Sequence, residues 1–210
     1  MSLPVIVLGA GGHAKVLIDA LLKQSIQLLG ITDPDPALTN ATILGIPLLG
    51  DDDAVLRCSP DTVLLVNGVG SARTTVQRRQ LFDRFKEKGY QFATVIHPSA
   101  VIATDVVMDE GAQVMAGVVI QTASKIGSNT IINTKASVDH DCTIADHVHI
   151  APGVTLSGAV EVGSGTHIGA GATVIQGVKI GEESLIGAGS LVLNDVPARV
   201  TVIGVPAHVV

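Results

Sequence analysis

From Ile96 to Val192 every sixth residue is apolar, with no slip in the register: Ile96, Ile102, Met108, Val114, Ile120, and so on to Ile180, Ile186 and Val192. Two positions earlier stands a small residue in most repeats, such as Ala112, Ser124, Ala136, Cys142, Thr166 and Ser184. Glycine often follows the aliphatic, as in Ile126-Gly127, Ile168-Gly169 and Ile180-Gly181. A period of six suits neither a helix nor an alternating strand. It is the mark of a hexapeptide-repeat parallel β-helix, in which the aliphatic plugs the interior and the small residue fits a tight corner. Three hexads close one triangular coil, so residues i and i+18 stack at about 4.8 Å. Low aromatic content (no Trp, one Tyr, three Phe) agrees with so narrow a core.

The first part of the chain follows another rule. Val5 to Leu8 reads as a buried strand, and Ala14, Leu17 and Leu21 recur at helical spacing. Further strands are expected over 26–31 and 62–66, an extended edge over 46–50, a short helix after Asp51-Asp52-Asp53, and a polar-faced helix over 73–88. Strands alternating with helices predict a small α/β domain with a parallel sheet over residues 1–94, followed by the β-helix over 95–210. A net charge of −6 without a basic stripe speaks against nucleic acid. No apolar run approaches a membrane span, and two separated cysteines suit a reducing cytoplasm.

Gly9-x-Gly11-x-x-Ala14 follows a strand and opens a helix, a context that lets a phosphate approach the backbone. Asp33, ending the second strand, stands where an acid binds ribose. A nicotinamide cofactor is the weaker reading, because the domain is half a dinucleotide fold. In the coils, Asp139-His140-Asp141 offers a base with two candidate carboxylate partners. Gly158 lies 18 residues on, so its N–H stacks beside His140 and can serve an oxyanion. His149 and His167 also stack. His147-x-His149 invites a metal, but no third ligand follows at compatible spacing.

Gly9-Ala10-Gly11-Gly12-His13-Ala14-Lys15, Ile131-Ile132-Asn133-Thr134 with Ser137 to Cys142, and Gly204-Val205-Pro206-Ala207 together resemble the sugar acyltransferases related to sialic-acid O-acetyltransferases. That PglD-like family includes N-acetyltransferases of 4-amino-4,6-dideoxy nucleotide sugars, of the UDP-bacillosamine and GDP-perosamine type. The resemblance implies a left-handed β-helix, a homotrimer with sites between subunits, acetyl-CoA as co-substrate and no metal. It implies a nucleotide-activated amino sugar held by Gly11, Gly12, His13, Asp33, Asn67 and Gly68. It places acetyl-CoA against His149, Gly158, His167, Ala170, Gly187, Ala188 and Pro206, with His140, Asp141 and Gly158 catalytic. O-acetylation of sialic acid or another sugar is the alternative, and a non-acyltransferase β-helix protein the remote one. His140 and His149 are half a coil apart and face opposite sides of one solenoid. They can share a site only across a subunit interface.

Overall fold

The computed structural model describes residues 3–38, 40–71 and 74–210. The N-terminal domain is built on β1 (Val5–Leu8), α1 (Gly12–Lys23), β2 (Leu28–Thr32), β3 (Thr42–Ile43), β4 (Ile46–Gly50), β5 (Leu64–Asn67), α2 (Val76–Glu87) and β6 (Gln91–Phe92). Its strand order is β3-β4-β2-β1-β5-β6. All neighbours run parallel except β3 and β4, which form an antiparallel hairpin at one edge. The expectation of a purely parallel sheet fails only there, where Leu44-Gly45 turns the chain at positive φ. β1 is buried along its whole length, as its unbroken apolar run requires. Asp51 caps the short 3-10 turn Asp52–Arg57 by accepting the Asp53 N–H. The expected start of the second helix at Arg73 lies outside the described residues.

From Val95 the chain coils into a left-handed parallel β-helix with three faces. Two-residue strands pair at i and i+18, as in Ile131 with His149 and Ile132 with Ile150. The sixth-residue aliphatics point inward and close one continuous core from Val114 to Val192. From Gly111 to Gly189 the residue before each corner position adopts a left-handed backbone. Glycine takes this place at Gly111, Gly165 and Gly171, and Ala123, Asn129, Asp141 and His147 hold it elsewhere. Glycine after the aliphatic has a different cause. A Cβ on Gly181 would stand 2.3 Å from the Ala198 nitrogen of the next coil.

The hexad stops at Val192, but the solenoid does not. Val196 bridges to Ile180, and Thr201–Ile203 pairs with Leu185-Ile186 at a spacing of 16 rather than 18. One corner is two residues shorter, so the last coil escapes the sixfold pattern while still burying Val196 and Val202. An antiparallel strand, His208–Val209, folds back on Thr201–Ile203 through the turn that carries Pro206.

The N-terminal domain covers the first face, whose outward residues Val95, Gln113, Ile131, His149 and His167 are all at most 5% exposed. Arg78 of α2 seals the junction. Its Nη1 donates to the Asn67 and Val69 carbonyls and its Nε to the Asn129 carbonyl, all within 3.1 Å. Desolvation lowers its pKa to about 9, and its Nη2 has no partner among the described residues. The Asn67 side chain reaches across to Asn129, and Lys86 to Glu110.

Two substitutions on the coils should move stability in opposite directions. Gly181→Ala pushes a methyl into backbone and should cost about 1–3 kcal/mol. Ala123→Gly, at φ 59, relieves left-handed strain and should gain about 0.5–1 kcal/mol. Urea denaturation of both variants reads the difference, and the same sign for the two would refute the coil-packing account.

Candidate active site

His140 stands at the corner between the second and third faces, in the turn after Ser137-Val138. Asp141 places its Oδ2 2.7 Å from His140 Nδ1, and Asp139 Oδ1 accepts the His140 backbone N–H at 2.8 Å. Asp141 is therefore the ring's partner, and Asp139 holds the turn. The Asp141 hydrogen bond, helped by both carboxylate charges, raises the His140 pKa above its ordinary value. The Nε2 side is left open, and the ring lies over Gly158. A Cβ there would come within 2.6 Å of Nε2, so only glycine admits this ring position. The Gly158 N–H has no hydrogen-bond partner among the described residues, which leaves it available to a developing oxyanion.

Two further coil histidines, His149 and His167, sit half a turn of the coil away on the first face. His149, His167, Ala170, Gly187 and Ala188 line one groove of about 590 Å³, together with Ser71 and Asn133. Pro206 does not line it. Its turn packs beside the groove's end, where Gly204 donates to Ser190 Oγ and Ile203 crowds Gly187. Burial lowers the pKa of both histidines. His149, further disfavoured by His167, His13 and Arg78, falls to about 3. His147 does not share a strand face with His149, so the two do not converge as His147-x-His149 invites. It occupies a left-handed corner, bonded to Asn129 and edge-on to Phe82. Among the described residues no group of three or more His, Cys, Asp or Glu is placed to hold a metal.

In the N-terminal domain a second cavity of about 480 Å³ opens at the carboxyl ends of β1, β2 and β5. It is lined by Gly9, Asp33, Asp52, Val69, Gln77 and Arg84, among others. Asp33 accepts the Ala10 and Asp35 N–H groups, which fixes its carboxylate toward the glycine turn. Gly11 and Gly12 are exposed, and a Cβ on either would meet nothing within 4 Å. Packing does not demand them, so the room they leave is open to a ligand. His13 is turned to the interface, where Nε2 meets Gln113 Oε1 at 2.8 Å. Burial and Arg78 lower its pKa to about 4. Asn67 and Gly68 do not reach the cavity. The Asn67 side chain is 1% exposed and bonded to Arg78, Asn129 and Val69. Gly68 is a close-packing glycine, with Leu8 oxygen 2.7 Å from where a Cβ would be. Val69 takes their place at the wall. Asp52, Gln77, Arg84, Ser71 and Gln113 were not singled out from sequence, since isolated polar residues in loops and helices carry no periodic signal.

Residues 4–85 match the PglD N-terminal domain, and residues 123–158 and 159–194 match the bacterial transferase hexapeptide repeat. The chain is 30% identical over 158 residues to GDP-perosamine N-acetyltransferase of Escherichia coli O157:H7, spanning 74% of this chain and 71% of that one. The chain belongs to the PglD-like sugar N-acetyltransferases. The fold superposes on perosamine N-acetyltransferase of Caulobacter crescentus, a histidine-to-asparagine variant solved with CoA and GDP-perosamine. The TM-score is 0.91 at 38% identity, covering 99% of this chain and 96% of that one. It superposes equally on the acetyltransferase domain of PglB from Neisseria gonorrhoeae with acetyl coenzyme A. There the TM-score is 0.91 at 32% identity, covering 99% and 98% of the two chains.

The buried histidines make stability depend on acidity. His13 and His149 are held neutral in the folded chain, so below pH 6.5 the unfolded chain binds protons first. Stability is complete above that pH and is lost as pH falls toward 4, by at most about 1.4 kcal/mol per pH unit for each histidine. Denaturation midpoints across this range check it. His149→Gln should flatten the slope, and an unchanged slope would place the proton uptake elsewhere.

Proposed function

We propose that the chain transfers the acetyl group of acetyl-CoA to the 4-amino group of a nucleotide-linked 4-amino-4,6-dideoxy sugar, of the GDP-perosamine or UDP-bacillosamine type. The carrying observation is the His140 ring, backed by Asp141 on Nδ1 and seated over Gly158. The nucleotide occupies the cavity between Gly9, Asp33 and Arg84, with its phosphates over Gly11 and Gly12 at the start of α1. The acetyl-CoA arm occupies the groove at His149, His167, Ala170, Gly187 and Ala188.

The sugar amine attacks the thioester carbonyl, and His140 Nε2 takes one of its protons as the C–N bond forms. The Gly158 N–H faces the oxyanion. Collapse breaks the C–S bond, and the departing CoA sulfur receives the proton from His140. No acyl-enzyme is needed. In this scheme the groove and the exposed base that share one site belong to different chains. His140 lies between the second and third faces, and the acetyl-CoA groove lies at the edge between the first and second. A cyclic trimer with the second face toward its axis brings one chain's base corner to the next chain's groove. Exposed Val101, Ile175 and Leu193 lie on that face and corner, as an interface there would require. The compartment proposed is the cytoplasm, in keeping with two separated cysteines and no disulfide. Among the described residues no helix is long and apolar enough to cross a membrane.

The reading is tested with a panel of UDP- and GDP-linked 4-amino sugars and acetyl-CoA, following CoA release. His140→Ala should lower turnover by ~10²–10⁴-fold with nucleotide-sugar binding retained. Asp141→Asn should move the acid limb of kcat/KM to lower pH, because the carboxylate that raises the His140 pKa is gone. Near wild-type turnover in His140→Ala would remove it as the base.

Shared sites predict complementation. Ala170→Trp fills the groove without touching the base. Mixing it with His140→Ala should restore activity, because some interfaces then pair an intact base with an open groove. A fully active monomer in sedimentation, or no recovery from two deeply impaired variants, would defeat the assembly.

A further inference from the structure

Ser71 lies in the loop that follows β5, on the N-terminal domain, and its hydroxyl sits between the two stacked histidines of the coils. Its Oγ meets His149 Nδ1 and, at 3.1 Å, His167 Nδ1. Asn133 closes the other end, its side-chain nitrogen 3.2 Å from His149 Nε2. The direction of every hydrogen in this row can be worked out. Asn133 Oδ1 accepts the Thr134 backbone N–H at 2.8 Å, so the amide must turn its NH₂ toward His149. His149 Nε2 is therefore an acceptor, and the neutral ring carries its proton on Nδ1. That N–H donates to Ser71 Oγ. The Ser71 hydroxyl is then free to donate, and the acceptor it faces is His167 Nδ1. His167 in turn keeps its proton on Nε2. That nitrogen has no partner among the described residues, and the ring is 5% exposed on the wall of the groove.

We infer that Ser71 is a positioning residue that orders the tautomers of His149 and His167, so that His167 presents an Nε2–H donor to a carbonyl of the acyl-pantetheine arm. The inference rests on the groove being the acetyl-CoA site proposed above. It divides the two histidines, which sequence treats alike. His149 has both ring nitrogens engaged inside the chain and acts through its neighbour, whereas His167 makes the contact. The groove floor of Gly169, Ala170, Gly187 and Ala188 admits a thin chain and supplies few other polar side chains. A carbonyl is the acceptor such an arm offers. Because both histidines are buried and neutral near pH 7, the row holds together without a charge. The donor also exists only when the N-terminal domain is seated on the first face, since Ser71 belongs to that domain.

Histidine-ring ¹⁵N NMR on the full chain separates the two neutral tautomers directly. The expected spectrum has His149 protonated at Nδ1 and His167 at Nε2, and Ser71→Ala should abolish that pattern. Calorimetric titration with acetyl-CoA should then show affinity weakened about three- to tenfold, the worth of one hydrogen bond. Nucleotide-sugar affinity should be unchanged, and Ser71→Thr, which keeps the hydroxyl, should restore both signals. A His167 proton on Nδ1, or a Ser71→Ala chain that binds acetyl-CoA as tightly as the wild type, would overturn the inference. Neither result bears on acetyl transfer itself, which is decided by CoA release. A wild-type chain with these tautomers and acetyl-CoA binding, yet no CoA release, would keep the relay and remove the reaction.

Discussion

Parallel pairing between residue i and residue i+18 governs the rest of the molecule. Each backbone N–H and C=O of a two-residue strand finds its partner one coil away, so no coil is complete without its neighbours. The pairing also carries chemistry from coil to coil. It puts His140 beside Gly158 and His149 beside His167. A residue's place in the site is set by its position in the eighteen-residue repeat, and a shift of one position would turn it to another face or into the core.

The N-terminal domain contributes in a second way, by burying one face of the solenoid. At the junction Arg78 is held by carbonyl oxygens of both domains, with no carboxylate paired to it among the described residues. Placing a guanidinium among carbonyls in a dry interface costs solvation, and hydrogen bonds must offset it. Its field reaches His13, His147 and His149 and disfavours a proton on each. The same contact therefore holds the two domains in register and adds to the burial that already disfavours a proton on His149.

The architecture was largely legible because sixfold spacing has one physical explanation, and the Gly158–His140 contact follows from arithmetic alone. The last coil was not, because a corner two residues shorter breaks the period without breaking the pairing. The antiparallel hairpin of β3 and β4 was also hidden, since two-residue strands are too short to show alternation. In the N-terminal domain the glycine turn and Asp33 could be read from the strand–turn–helix context. Asn67 and Gly68 could not be separated from true cavity residues, because a polar side chain and a glycine at a strand end look the same whether they serve packing or a ligand. Ser71 carried no signal at all. Its role depends on two histidines 78 and 96 residues away in sequence.

Three histidines of the coils show how one scaffold makes different groups from one side chain. His140 is exposed, faces two carboxylates and is raised, which suits a base that must take a proton and give it back. His149 and His167 are buried, lie near a guanidinium or each other, and are lowered, which suits hydrogen-bonding groups that must not charge. Environments that push the pKa values of like groups apart assign their roles. Here the separation is geometric. The corner between the second and third faces stays open to solvent, while the first face lies under a domain. A single solenoid therefore cannot offer the exposed histidine and the buried pair on one side, and in the proposed trimer it is a second chain that brings them together.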